Sequence, residues 1–162
     1  MRSAGHADTL DTVSQVPEQR VLVLNGPNLG RLGSREPDIY GSGTLEDLTA
    51  RLQADAGALT IDLRQTDDEA ELIHWLHEAV DTSTPVILNP AAFTHYSYAL
   101  SDAAKLVTSA GLILVEVHLS NPHAREEFRH TSVISAVATG VIAGFGFDSY
   151  ALALDLVKRR LG

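Results

Sequence analysis

Cysteine is absent from this chain of 162 residues, and lysine occurs only as Lys105 and Lys158. The first absence removes disulfides and thiolate metal sites. Both lysines fall in helical patterns rather than at strand ends, which argues against a Schiff-base mechanism. Basic charge is scarce too: 12 Lys and Arg stand against 21 Asp and Glu, for a net charge of −9. Such a balance disfavours a nucleic-acid or anionic-membrane surface, which needs a basic stripe. No apolar run approaches the ~18 residues of a membrane span. The opening MRSAGHADTLDTVSQVPEQR has no apolar centre of the kind a signal peptide requires, so a cytoplasmic location is expected. No internal repeat is visible.

What is present suits a globular domain. With 44% hydrophobic residues, the chain can bury a substantial core in one unit. Residues 1–19 read as a flexible polar arm and residues 20–162 as a single catalytic domain. Four apolar runs lack the period-two alternation of half-exposed strands and are expected to be buried parallel strands: Val21 to Asn25, Val86 to Asn89, Leu112 to His118 and Gly140 to Ala143. A fifth, Leu59 to Arg64, alternates more. Helical patterns fill the gaps. Thr44 with Asp47 forms a capping signal ahead of Leu48, Leu52 and Ala56, and Asp68 to Asp81 puts Leu72, Ile73, Leu76 and Val80 on one face. Tyr98 to Ser109 and Ser149 to Arg160 complete the alternation. The order predicts an α/β fold, a flavodoxin-like doubly wound five-stranded parallel sheet in three α/β/α layers.

Ligands of open parallel sheets bind beyond the carboxyl ends of the strands. Here those ends run into Asn25-Gly26-Pro27-Asn28, Asn89-Pro90 and His118-Leu119-Ser120-Asn121. One such exit is explained by turn capping. Three converging on one edge point to a polar ligand pocket. The glycines Gly26, Gly30 and Gly33 do not match G-x-G-x-x-G, and no P-loop pattern occurs. Seven histidines form no recognised metal-ligand pattern; His74 and His77 read as a solvated helix face. Ser120 lacks the G-x-S-x-G elbow of a hydrolase.

Acid and base chemistry remains. Tyr40 and Arg35 lie in a long glycine-punctuated loop, Gly30 to Gly43, whose length and lack of apolar pattern suit a lid. A tyrosine titrates near ~10, and a guanidinium within ~4–6 Å favours its phenolate. Arg35 or Arg31 can supply that charge. Spacing alone leaves open the alternative that Tyr40 packs over a pocket rim. On the fourth strand Glu116 and His118 are two apart and project to one face, so the carboxylate can hold the imidazole as a proton donor.

These residues carry a long resemblance. The blocks NGPNLGRLGSREPDIYG, ILNPAAFTHYS, EVHLSNPHAREEFRHTSVIS and ATGVIAGFGFDSYALAL resemble the type II 3-dehydroquinases, over roughly Val21 to Leu161. The resemblance implies anti elimination of water from 3-dehydroquinate through an enolate or enol, giving 3-dehydroshikimate in the shikimate pathway without cofactor, metal or Schiff base. It puts the base on Tyr40, the arginine that lowers its pKa on Arg35, the enolate-stabilising residue on Asn28 and the acid on His118. Asn89, His95, Leu119, Ser120 and Arg129 match substrate-binding positions, and Asp102 matches one contributed across a subunit interface. It also implies a homododecamer built from trimers. By charge pattern alone, Arg125 to Arg129 would be a solvated helix face. Two positions depart from the family: Ala91-Ala92-Phe93 stands where glycine often leads, and Tyr96 where threonine is usual. The competing expectation is a flavodoxin-like binding or regulatory module with vestigial catalytic groups.

Overall fold

The computed structural model describes residues 19–34, 38 and 42–162. Arg35, Tyr40, most of the expected lid and nearly all of the N-terminal arm lie outside the described residues.

Five strands, β1 (Arg20–Asn25), β2 (Thr60–Gln65), β3 (Val86–Asn89), β4 (Leu114–His118) and β5 (Gly140–Ala143), form one sheet in the order β2-β1-β3-β4-β5. All four pairings are parallel. Four α-helices among the described residues flank it: α1 (Leu45–Asp55), α2 (Glu69–Asp81), α3 (Tyr98–Ser109) and α4 (Phe147–Leu161). This is the expected flavodoxin-like α/β arrangement. Strand alternation sorts the core into two layers. Val21, Val23, Ile87, Val115 and Val117 pack with α1 and α4 on one side. Leu22, Leu24, Val86, Leu88 and Leu114 pack with α2 and α3 on the other. No described helix is long and apolar enough to cross a membrane.

Local chemistry sets the boundaries. Thr44 and Asp47 form the expected reciprocal capping box on α1, and Asp68 caps α2 by accepting from the Ala70 amide. β4 starts at Leu114 rather than Leu112, because the Leu112 amide still donates to Val107 O and closes the end of α3. α4 begins two residues early, at Phe147, with Gly146 at φ 56 turning the chain into it. Strand β5 departs from expectation more. It is an edge strand with one open face, not a buried one, and Val141 is 47% exposed.

The strand exits meet where the core ends. At Gly26 a Cβ would lie 2.6 Å from Pro90 O, so only glycine permits the β1 and β3 exits to approach. The Gly26 amide donates to Asn89 O across that junction at 2.8 Å. Sheet geometry and a missing side chain thus bring Asn28 and Asn89 to the same cleft.

Candidate active site

The cleft at the carboxyl edge of the sheet gathers the strand exits. Asn28, Asn89, His95, His118, Leu119, Ser120 and Arg129 all line it. Glu116 lies directly behind, fully buried. Of the other expected site residues, Asp102 is exposed on α3 and does not line this cleft, whereas Arg35 and Tyr40 lie outside the described residues.

His118 closes β4, and its Nε2 donates to Glu116 Oε1 at 2.7 Å. Since that nitrogen is committed to the carboxylate, Nδ1 is the one left for a ligand. Burial pushes the Glu116 carboxyl up, but bonds from His118, Ser135 and Thr94 outweigh burial and hold it below the usual range. The second imidazole is fixed differently. His95 Nδ1 lies 2.8 Å from Thr131 O, and a carbonyl only accepts, so Nδ1 carries a proton and Nε2 is the nitrogen left for a ligand.

Beneath the cleft runs a relay of neutral groups. Asn89 Nδ2 donates to Tyr150 Oη at 2.8 Å, and Tyr150 Oη donates to Asn25 Oδ1 at 2.7 Å, with all three residues buried. Asn25 Nδ2 ends the chain on Arg64 O at 3.0 Å. Burial drives the Tyr150 phenol upward, against a smaller lowering by Asn89, so it stays protonated and serves as scaffold. Asn89 Oδ1 in turn accepts from the Ala91 amide. Ala91 sits at φ 50, in the left-handed region that glycine reaches far more easily than alanine. Asn28 is also left-handed, at φ 68, and its amide donates to Asp67 Oδ1 at 2.8 Å. Asparagine tolerates that conformation better than most residues.

The segment after β4 corrects one expectation. Residues 125–129 do not form a solvated helix face; the chain makes short 3-10 turns at Pro122–Ala124 and Glu127–His130 with an extended break at Arg125. Arg125 and Arg129 both line the cleft as a result. Arg125 Nη1 donates to Ser120 Oγ at 3.2 Å, and Arg129 Nε donates to Glu126 Oε2 at 2.8 Å. Arg125 was missed because helical periodicity does not describe two tight turns. Tyr150, Thr94, Ser132 and Ser135 were missed as well, since a buried hydroxyl carries no distinguishing pattern in sequence. Among the described residues lining the cleft are two arginines and two histidines, with no Asp or Glu. A net-acidic protein therefore lines this cleft with two guanidiniums, both paired with Glu126, which are donors suited to a small carboxylate.

A model of the class II dehydroquinase family matches residues 19–158. The chain belongs to the class II dehydroquinase family. It is similar to the 3-dehydroquinate dehydratase of Salinispora tropica, at 59% identity over 143 residues that cover 87% of this chain and 98% of the relative. The Kineococcus radiotolerans protein of the same name is 57% identical over 144 residues, 88% of this chain and 97% of the relative. Among solved structures, the type II dehydroquinase from Propionibacterium acnes superposes with a TM-score of 0.82 at 51% identity, covering 86% of this chain and 95% of that one. The type II dehydroquinase from Butyrivibrio crossotus gives 0.82 at 38% identity, with 87% and 98% covered.

Proposed function

We infer that the protein is a 3-dehydroquinate dehydratase of the type II class, a hydro-lyase of the shikimate pathway. The observation that carries this reading is the His118–Glu116 pair at the floor of an arginine-lined, strand-exit cleft in a chain of this family. 3-Dehydroquinate is a β-hydroxy ketone bearing a carboxylate. Its dehydration needs a base at the carbon alpha to the ketone, donors for the developing oxyanion and an acid at the departing hydroxyl.

We assign those roles as follows. Tyr40, made acidic by Arg35, removes the alpha proton. Elimination supports that choice: Tyr150 is buried and held protonated, and Tyr96 and Tyr98 do not line the cleft. Asn28 steadies the enolate. His118, through Nδ1, protonates the leaving hydroxyl on the other side of the substrate, which makes the elimination anti. The amide edge at Leu119 and Ser120, with Asn89 and Arg129, holds the carboxylate, and His95 binds a ring hydroxyl. The catalytic unit is residues 20–162, with residues 1–19 outside it, and we assign the enzyme to the cytoplasm.

We assign the assembly as a homododecamer built from trimers. Tyr98, Asp102 and Leu106 fall at four-residue intervals on α3, and the two apolar residues flanking Asp102 are 75% and 51% exposed. An acidic residue framed by open apolar surface suits a face covered by a second copy, with Asp102 entering the neighbour's cleft.

Purified protein with 3-dehydroquinate gives rising ultraviolet absorbance from the conjugated enone of 3-dehydroshikimate. No rise at high enzyme concentration sinks the assignment. Tyr40→Phe lowers kcat by at least about 100-fold while ligand binding persists in calorimetry; near-normal turnover removes Tyr40 from the base role.

A further inference from the structure

Glu116 makes more bonds than holding one imidazole requires. Besides His118, its Oε1 accepts from Thr94 Oγ1 at 2.5 Å and from Ser132 Oγ at 3.1 Å, and its Oε2 accepts from Ser135 Oγ at 2.5 Å. Thr94 and Ser132 also touch, Oγ1 to Oγ, at 2.6 Å. Each hydroxyl has one proton, so Ser132 divides its own between Thr94 Oγ1 and Glu116 Oε1, and the carboxylate takes its direct bonds from the imidazole, Thr94 and Ser135, with Ser132 backing Thr94. The hydroxyls are themselves fixed. Ser132 Oγ accepts from the Ile134 and Ser135 amides, and the Val133 amide donates to Thr94 O at 2.7 Å.

We propose that Thr94, Ser132 and Ser135 are positioning residues for the dehydration, a three-hydroxyl clamp that keeps Glu116 ionised and aimed at His118 Nε2. The proposal rests on His118 being the acid. Its physical basis is that an ionised carboxylate in a dry site survives only if its lone pairs are filled. One imidazole fills one of them. Thr94 and Ser135 fill two more, with Ser132 backing Thr94, and none of them adds charge, so the ring keeps a full negative partner. Flanking strands contribute no competing charge, because Leu88 on β3 and Val141 on β5 pair beside Glu116. The basic and titratable groups bordering the adjoining cavity are His95 from the β3 exit, His123 from the Pro122–Ala124 turn, and Arg129 and His130 from the Glu127–His130 turn. The same segment binds the other imidazole: Thr131 O fixes His95 while Ser132 and Ser135 fix Glu116. One short bracket therefore sets both histidines.

The test compares Ser135→Ala, Thr94→Val and the conservative Thr94→Ser by steady-state kinetics and by the pH titration of the Glu116 carboxyl carbon in NMR, because the acid limb of kcat belongs to the base, Tyr40. Losing a donor makes the Glu116 carboxylate easier to protonate, so its titration moves to higher pH, about one unit per hydroxyl. Ser135→Ala and Thr94→Val each lower kcat about tenfold with KM within about twofold, while Thr94→Ser keeps the wild-type titration. An unmoved Glu116 titration in the two deletions overturns the clamp, even if kcat falls, since a purely structural role changes rate and melting without changing titration. His118→Ala is measured beside them. Wild-type turnover in that variant overturns the acid assignment and the clamp with it. Lost turnover there, beside an unaltered Ser135→Ala and Thr94→Val, rejects the clamp alone.

Discussion

At the residue scale, the cleft depends on neutral groups as much as on charged ones. Tyr150 accepts from Asn89 and donates to Asn25, so its single hydroxyl satisfies two buried amides that face each other on neighbouring strands. Removing it leaves both without that partner, and each buried unsatisfied group costs about 1–3 kcal/mol. Tyr150→Phe is therefore expected to lower stability by about 2–4 kcal/mol, read from the denaturant midpoint at unchanged m-value. It should also raise KM, because Asn89 loses its anchor beneath the carboxylate subsite. A stability loss under about 0.5 kcal/mol, the range of an ordinary surface change, contradicts that account. The same contrast separates the described tyrosines: burial makes Tyr150 a scaffold, and a phenolate base has to come from a residue that an arginine can reach.

At the scale of elements, helix starts were legible and the chemistry of loop interiors was not. Thr44 and Asp47 announced α1 because a capping box needs two residue types at a fixed spacing, and both bonds are made. Thr44→Ala should cost about 1 kcal/mol in thermal or denaturant unfolding and leave kcat intact, since the cap lies outside the cleft. No change in stability would mean that packing of Leu48 and Leu52 alone sets the start of α1. The strands were legible because parallel strands buried on both faces read as continuous apolar runs. β5 misled for the same reason. Its residues are apolar although its outer face is open, and sequence does not distinguish a face covered by a helix from one left for another chain. Exits from β1, β3 and β4 pointed to the cleft, as Asn28, Asn89 and His118 lie at or just past strand ends and all line it. Arg125 was not legible, because its direction depends on φ and ψ at a break between two tight turns. Nor were the serines that surround Glu116. Their role exists only through the fold that carries residues 132 and 135 back to β4.

At the scale of the whole molecule, the cleft of a single copy lacks a carboxylate among its described lining residues, while Asp102 stands exposed elsewhere on the surface. These facts fit together if each cleft is completed by a neighbour around a three-fold axis, with residue i of one copy meeting a different surface of the next. A shared site has a consequence that a self-contained one lacks. Asp102→Asn damages the neighbour's cleft and His118→Ala damages its own, so neither homo-oligomer holds an intact site. Co-expressed in one cell, the two chains form mixed trimers. An Asp102→Asn subunit receiving Asp102 from a His118→Ala neighbour then has every group of the wild-type cleft. Random mixing yields about a quarter of sites in that state. Turnover of the co-purified mixture should therefore reach about a quarter of wild type, well above the mean of the two parents. A mixture no more active than that mean would show that Asp102 serves its own subunit or none, and the exposed stripe on α3 would need another occupant.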